Sequence, residues 1–338
     1  MRTDEFLLMH SEFVKKRCGS IYLHIDSRRM RRGGKIFKLH AFTGALQEMS
    51  VPFSVSEDSK FNVIGAANGN MAIRCAEADN TSQVIVWNPV SSYFRLISEF
   101  THGHHRLSYS AYGFGYIPNS TEYFLVNIYK LNSCDKNCWC TSYSSLTRQW
   151  SSPFICPEYV QLLNSKYVLC DGLLYWLNFN DRVGTSPQCI VYYSAKDNEF
   201  GYLQMPEKAV NLEKRLISIN DVVCFVGLES GDGEIYTWTI WMINSVDGST
   251  EWTTFMKASG CGQIHYPEAF ISNEILMLRE TVNMHQVSDS NTFLLKKEIR
   301  IRGLSSTASQ SRTIQNMEFR VDSYTKSILA MYDTAFPV

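Results

Sequence analysis

The sequence predicts an all-β, β-propeller-like chain of about six four-stranded blades, preceded by a short helical remnant. Two observations carry this prediction. Aromatic and β-branched runs, broken by Gly, Asn, Asp and Ser, fill the chain, and helical periodicity is scarce. Turn signals between apolar strands then return at a nearly constant interval, with a second kind of turn between them.

The first series of turns lies in IGAANGNMAI (Gly69), GYIPNSTEYFLV (Asn119), YVLCDGLLYWL (Gly172), ISINDVVCFV (Asp221), AFISNEILML (Asn273) and RVDSYTKSIL (Tyr324). Positions 69, 119, 172, 221, 273 and 324 are separated by 50, 53, 49, 52 and 51 residues. The second series is an apolar strand, a polar turn, then an aromatic or leucine: IFKLHAFTGAL, IVWNPVSSYFRLI, TSYSSLTRQW, IVYYSAKDNEF and IWMINSVDGSTEW. A period near fifty with four strands per unit is that of a kelch-related propeller blade. Each unit buries both faces only by stacking on its neighbours. A large β-sandwich is the competing architecture.

In chain order, DEFLLMHSEFVKK is the segment with helical character, and residues 1–19 form a remnant ahead of a domain over 20–338. SIYLHID then supplies a strand suited to completing the last blade. SRRMRRGGK, residues 27–35, packs four arginines and a lysine into one stretch. It reads as a solvated hairpin loop whose basic tip, including Arg29 and Arg31, attracts an acidic partner. A nuclear localisation patch or a phosphate loop is the rival reading.

AYGFGYIPNSTEYFLVNIYK, residues 111–130, contains a GxG without the third glycine of a dinucleotide loop, and strand follows it rather than a helix. Gly113 and Gly115 fall on one face of a strand, and Tyr112, Phe114 and Tyr116 on the other. The small face is expected to admit a neighbouring backbone, and the aromatics to fill the space between blades.

Charge is nearly balanced, 32 Lys+Arg against 33 Asp+Glu, so no global field draws the chain to nucleic acid. No apolar run reaches the roughly 18 residues of a membrane span, and no signal-peptide core opens the chain. An intracellular protein is expected, cytoplasmic or nuclear, with no membrane and no nucleic-acid partner.

Ten cysteines are then reduced thiols, and Cys170 and Cys224 sit in apolar runs as small hydrophobes. Cys134, Cys138 and Cys140 cluster in SCDKNCWC, and His102, His104 and His105 in THGHHR. Neither has zinc spacing, so no metal and no cofactor are expected. The acidic stretches SEDSK, AEADN and ESGDGE lack the spacing of a calcium loop. No G-x-S-x-G, GK[ST] phosphate loop or HExxH is present, so no catalytic residue is assigned. Trp87, Trp176 and Trp241 lie in strand-like runs and are expected in the core. Trp139, after a polar segment, is the better exposed anchor. Trp139, His104, Arg29 and Arg31 are the candidate partner-binding residues.

The NG of VIGAANGNMAI, VWNP (Val86 to Pro89), YGFGY through EYFLV, DGLLYWL (Asp171 to Leu177), EF…MP, IWMI…EW and the closing YTKSIL occur in one order and spacing. Together, over about residues 60 to 330, they resemble the plant F-box-associated domain. The chain departs from the family pattern at Ile117, Phe124, Tyr192 and Tyr193. These turn and strand positions are expected to alter surface detail rather than the fold. HSEFVKKR looks like the tail after an F-box, so the F-box itself is expected to be truncated or lost.

The resemblance implies a non-catalytic substrate-recognition module of an SCF-type ubiquitin ligase, binding a target protein. A Skp-type adaptor is implied as partner only where an F-box lies upstream. The alternative is an F-box-less interaction protein or a non-functional paralogue. A propeller lectin or metal-dependent oxidase is the minor alternative from another class.

Overall fold

The structure is a computed structural model. It describes residues 19–26, 35–40, 46–52, 60–76, 82–98, 100, 109–131, 137–160, 163–178, 189–206, 208, 213–219, 221–230, 235–246, 249–261, 265–271, 274–279, 283–288, 294–300 and 318–325. Residues 1–18 of the helical remnant, residues 27–34 of the basic loop, and the histidine cluster of the sequence reading lie outside the described residues.

Among the described residues, six antiparallel sheets account for the strands. β1 (Gly19–Asp26), β2 (Lys35–His40) and β3 (Leu46–Glu48) form one sheet, and β4 (Lys60–Ala67), β5 (Asn70–Ala76), β6 (Ser82–Trp87) and β7 (Phe94–Ser98) the next. β8 (Tyr109–Tyr116), β9 (Tyr123–Lys130), β10 (Trp139–Ser144) and β11 (Gln149–Trp150) follow, with β12 (Phe154–Ile155) also on β10. The fourth sheet is β13 (Leu163–Cys170), β14 (Leu173–Asn178), β15 (Cys189–Ser194) and β16 (Glu199–Gln204). The fifth is β17 (Glu213–Ile219), β18 (Val222–Ser230), β19 (Ile235–Val246) and β20 (Ser249–Cys261). β21 (His265–Ile271), β22 (Glu274–Arg279), β23 (Asn283–Ser288) and β24 (Leu294–Arg300) form the sixth. The last strand, β25 (Glu318–Thr325), returns to the first sheet and pairs with β1. The fold is all-β and β-propeller-like.

Two compact units divide the chain. One comprises residues 1–101 and 301–338 with the stretch 119–123, and the other 102–118 and 124–300. In the first, Ile36 of β2 packs with Val63, Met71, Ile73, Ile85 and Trp87 of the adjoining sheet. In the second, one core joins Phe124, Val126 and Ile128 to Leu174, Trp176, Val191 and Tyr193. A smaller cluster of Leu177, Ile190, Phe225 and Trp241 joins the sheet of β13–β16 to that of β17–β20. The three strand tryptophans expected inside are buried, Trp87, Trp176 and Trp241 alike.

The turn chemistry explains the hairpins. Asn68 and Gly69 both have positive φ, 46° and 80°, and so do Asp171 and Gly172, at 47° and 75°. Two consecutive left-handed residues make the turn whose twist matches that of paired strands. Asn119 (φ 58°) and Asp221 (φ 59°) mark the corresponding first hairpins of their own sheets. At the fifth, residues 272–273 lie outside the described residues, and Ile271 pairs with Glu274.

The sixth expected turn, at Tyr324, is corrected: Tyr324 is inside β25, opposite Ser20. Here the first two strands of the sheet are not consecutive in the chain. β1, which contains SIYLHID, pairs along its whole length with β25, from Gly19↔Thr325 to Asp26↔Glu318. A hairpin is replaced by a union of distant segments, so no turn chemistry is needed. Glu229 and Ser230 of ESGDGE end β18.

The second series of turns repeats more closely. Asn88, Ser144 and Ser194 each open a turn whose fifth residue, Ser92, Arg148 or Asn198, is left-handed at φ 57°, 58° and 56°. The opening side chain caps each turn. Asn88 Oδ1 accepts from the N–H groups of Val90 and Ser91, Ser144 Oγ from those of Leu146 and Thr147, and Ser194 Oγ from that of Asp197.

The glycines of GFGY do admit neighbours, but these are side chains and not a backbone. A Cβ on Gly113 would lie 2.5 Å from Leu174 Cδ1 and 2.8 Å from Trp176 Cζ2. One on Gly115 would meet Phe124 Cζ at 2.7 Å and Leu169 Cδ1 at 3.0 Å. The expectation that the family departures touch only surface detail is also corrected. Phe124 and Tyr193 are buried, with ring centroids 6.5 Å apart.

Candidate interaction surface

Of the four predicted partner-binding residues, His104, Arg29 and Arg31 lie outside the described residues. Trp139 is the first residue of β10, cross-strand from Tyr129 on one side and Ile155 on the other. It is half-buried and on a strand, not on a loop tip. Cross-strand partners share a face, so Trp139 lies beside Ile155, which is exposed.

The neighbouring thiols of Cys138, Cys140 and Cys156 belong to the core. Cys138 and Cys156 are joined by a hydrogen bond from Cys156 N–H to the Cys138 carbonyl (2.9 Å), and both are buried with Cys140. Among the described residues, no three or more His, Cys, Asp and Glu side chains come together to hold a metal ion. Burial pushes the Cys138, Cys170 and Cys224 thiols up to about 12 and raises Cys140 as well. A thiol so raised is protonated near neutrality and is a poor nucleophile. The tyrosines that shift, such as Tyr109, Tyr175 and Tyr193, are raised by burial too. Burial, rather than a paired acid and base, is the leading cause of each of these shifts.

The surface carries a pattern that the sequence reading missed. Leu96, Ile155, Tyr202 and Phe255 are all exposed, and they sit on β7, β12, β16 and β20, each the last strand of its sheet. In sequence these positions look like ordinary strand alternation. Only the pairing order separates an edge strand from a central one.

Between the last strands β16 and β20 the exposure becomes a groove of about 620 Å³. Tyr202 and Gln204 of β16, Thr250 and Trp252 of β20, Trp241 and Lys208 line it. Trp252 Nε1 donates to the Gln204 carbonyl across the groove at 2.7 Å. Tyr202 is supported from beneath by Tyr159, ring centroids 5.1 Å apart, and Tyr159 Oη donates to the Phe200 carbonyl. Aromatic rings share the lining with Gln204, Lys208, Thr250 and Thr254, so the groove is of mixed polarity.

No helix among the described residues is long and apolar enough to cross a membrane. No curated protein matches the chain. Solved structures similar to it include TolB from Acinetobacter baumannii, at 12% identity and TM-score 0.46 over 81% of this chain. The matched region spans 62% of that TolB chain. YjhT is similar at 10% identity and TM-score 0.43, over 78% of this chain and 91% of that one. The SapL1 lectin, solved with alpha methyl fucoside, is similar at 8% identity and TM-score 0.44, over 85% and 97%. A family description, F-box associated beta propeller domain, matches residues 48–329. That span takes in strands of every sheet, the first series of turns, all but the first member of the second series, and the groove. The chain belongs to the F-box associated beta propeller domain family.

Proposed function

We propose that this chain is the target-recognition module of an SCF-type ubiquitin ligase. It holds a protein so that a ligase positioned by a Skp-type adaptor modifies it. The family match over residues 48–329 carries the reading. The exposed apolar residues on the last strands support it, because rigid strands bearing exposed aromatics suit protein recognition. The mechanism is positional, and the protein itself makes and breaks no bond. The cytoplasm or the nucleus is the compartment in which such a module meets its targets.

The test has two arms. Proteins cross-linked to this chain in its own cells are identified, and their ubiquitination and half-lives are measured with and without it. Removal is expected to lengthen the half-life of at least one captured protein. Unchanged modification and turnover of every captured protein would overturn the reading. Purified Skp-type adaptor mixed with the 338-residue chain then separates delivery from binding alone. Capture of targets without capture of adaptor marks an interaction protein that delivers nothing.

A further inference from the structure

We propose that Ser152 is a phosphorylation site, used by a protein kinase of the proline-directed class. This goes beyond the recognition reading and stands without it.

β11 and β12 both pair with β10 and form its broken outer edge. Tyr143 pairs with Trp150, and Cys140 with Phe154. Between those pairs β10 has two residues, Thr141 and Ser142, and the outer edge has three, Ser151, Ser152 and Pro153. The extra residue makes a β-bulge, a device that re-aims a side chain. Proline favours the break, because it has no N–H to give to the ladder.

Side chains take over part of the backbone bonding there. Ser151 N–H donates to the Ser142 carbonyl at 2.7 Å, and Ser142 N–H donates to Ser151 Oγ at 3.0 Å. Thr141 Oγ1 donates to the Ser151 carbonyl at 2.8 Å. Ser151 is thereby fixed to β10. Ser152 is exposed and enters none of these bonds, and Pro153 beside it is exposed as well.

A kinase of this class takes a serine followed by proline from an extended segment. Proline brings no N–H that needs a partner in the kinase, and it holds the residue before it extended. The chain has two Ser-Pro pairs, Ser152-Pro153 and Ser186-Pro187, and the second lies outside the described residues. β11 and β12 have two residues each, so they lift from β10 at a fraction of the cost of unfolding. In the transfer, Ser152 Oγ attacks the γ-phosphorus of ATP, its proton passes to the kinase's base, and ADP leaves. The product places about two negative charges on the edge that also carries exposed Ile155.

The experiment incubates the folded 338-residue chain with a mitogen-activated protein kinase and ATP. Phosphate is mapped by mass spectrometry of the tryptic peptide spanning residues 149–166. The same peptide is mapped in chain isolated from its own cells under phosphatase inhibition. Phosphate is expected on Ser152 in both samples. It is expected to be lost in Ser152→Ala and slowed at least about ten-fold in Pro153→Ala. The unfolding temperature of Ser152→Ala is expected to equal the parent's, which separates a lost acceptor from a lost fold.

Phosphate confined to Ser151 or Ser186 overturns the proposal, and so do equal rates in the parent and Pro153→Ala. Phosphate that reaches Ser152 only in denatured chain overturns it too, because the bulge then presents nothing. A peptide 149–166 that carries no phosphate in cells does the same.

Discussion

Tyr109 and Tyr167 each place one hydroxyl on both backbone groups of a residue in a neighbouring sheet. Leu163 N–H donates to Tyr109 Oη at 2.8 Å, which donates to the Leu163 carbonyl at 2.7 Å. Tyr167 serves Phe114 in the same way, at 3.0 and 2.9 Å. The two bridges run in opposite directions between β8 and β13 and close both edges. Phe114 is fully buried, so Tyr167→Phe strands an N–H and a carbonyl away from water. A loss of about 1–3 kcal/mol in denaturant-induced unfolding is expected. Gly113→Ala is expected to cost a similar amount, about 1–3 kcal/mol, because its methyl group meets Leu174 and Trp176 within a packed core. A Gly113→Ala protein as stable as the parent would show that the two sheets separate freely there.

The element that repeats most faithfully is the second turn of the sheets. Its cap at position one and left-handed residue at position five are followed two residues later by an aromatic: Phe94, Trp150 or Phe200. That aromatic pairs across the hairpin with Trp87, Tyr143 or Tyr193. Ring centroids are 5.6 Å apart for Tyr143–Trp150 and 5.1 Å for Tyr193–Phe200. Such pairs fix register, because a slip by one residue would turn each aromatic to the opposite face. Ser194→Ala removes the cap on Asp197 and is expected to cost about 1 kcal/mol. Ser92→Gly is expected to do the opposite and add about 0.5 kcal/mol, since glycine takes positive φ without a Cβ clash. Equilibrium unfolding of both variants against the parent checks the signs.

These turns were legible because Asn-Gly, Asp-Gly and Ser-rich tetrapeptides carry their own conformational chemistry. Tyr324 was misread because a strand end that meets a distant strand leaves no local signal. Phe124 and Tyr193 were misread as surface detail because they lie 69 positions apart (193 − 124) and meet only once two sheets stack. The groove was invisible for the same reason. Tyr202 and Trp252 are 50 residues apart (252 − 202), and edge position is a property of pairing order.

At the scale of the whole molecule, the buried thiols set the behaviour in base. Cys138, Cys170 and Cys224 have an ordinary value near 9 and are held near 12 in the folded chain. The folded state therefore keeps protons that the unfolded chain gives up between those values. The stability this contributes is complete below pH 9 and lost as pH rises through 12. Tyr109, Tyr175 and Tyr193, also raised, act with the same sign. The denaturant midpoint is expected to be flat from about pH 7 to 9 in this respect and to fall steeply above it. A midpoint that rises above pH 9 would contradict the burial of these groups. Iodoacetamide at pH 8 is expected to label these three thiols only after denaturation, as read by peptide mass spectrometry.

The pairing of β1 with β25 also has a consequence in time. Its closing contact, Gly19 with Thr325, spans 306 residues of chain (325 − 19). At ribosomal rates of about 5–20 residues per second, β1 waits roughly 15 to 60 seconds for its partner to be synthesised. Throughout that interval one side of an eight-residue strand is an open template for any other extended chain. The protein thus completes its first sheet last, and a nascent chain released before residue 318 emerges without the strand that closes it.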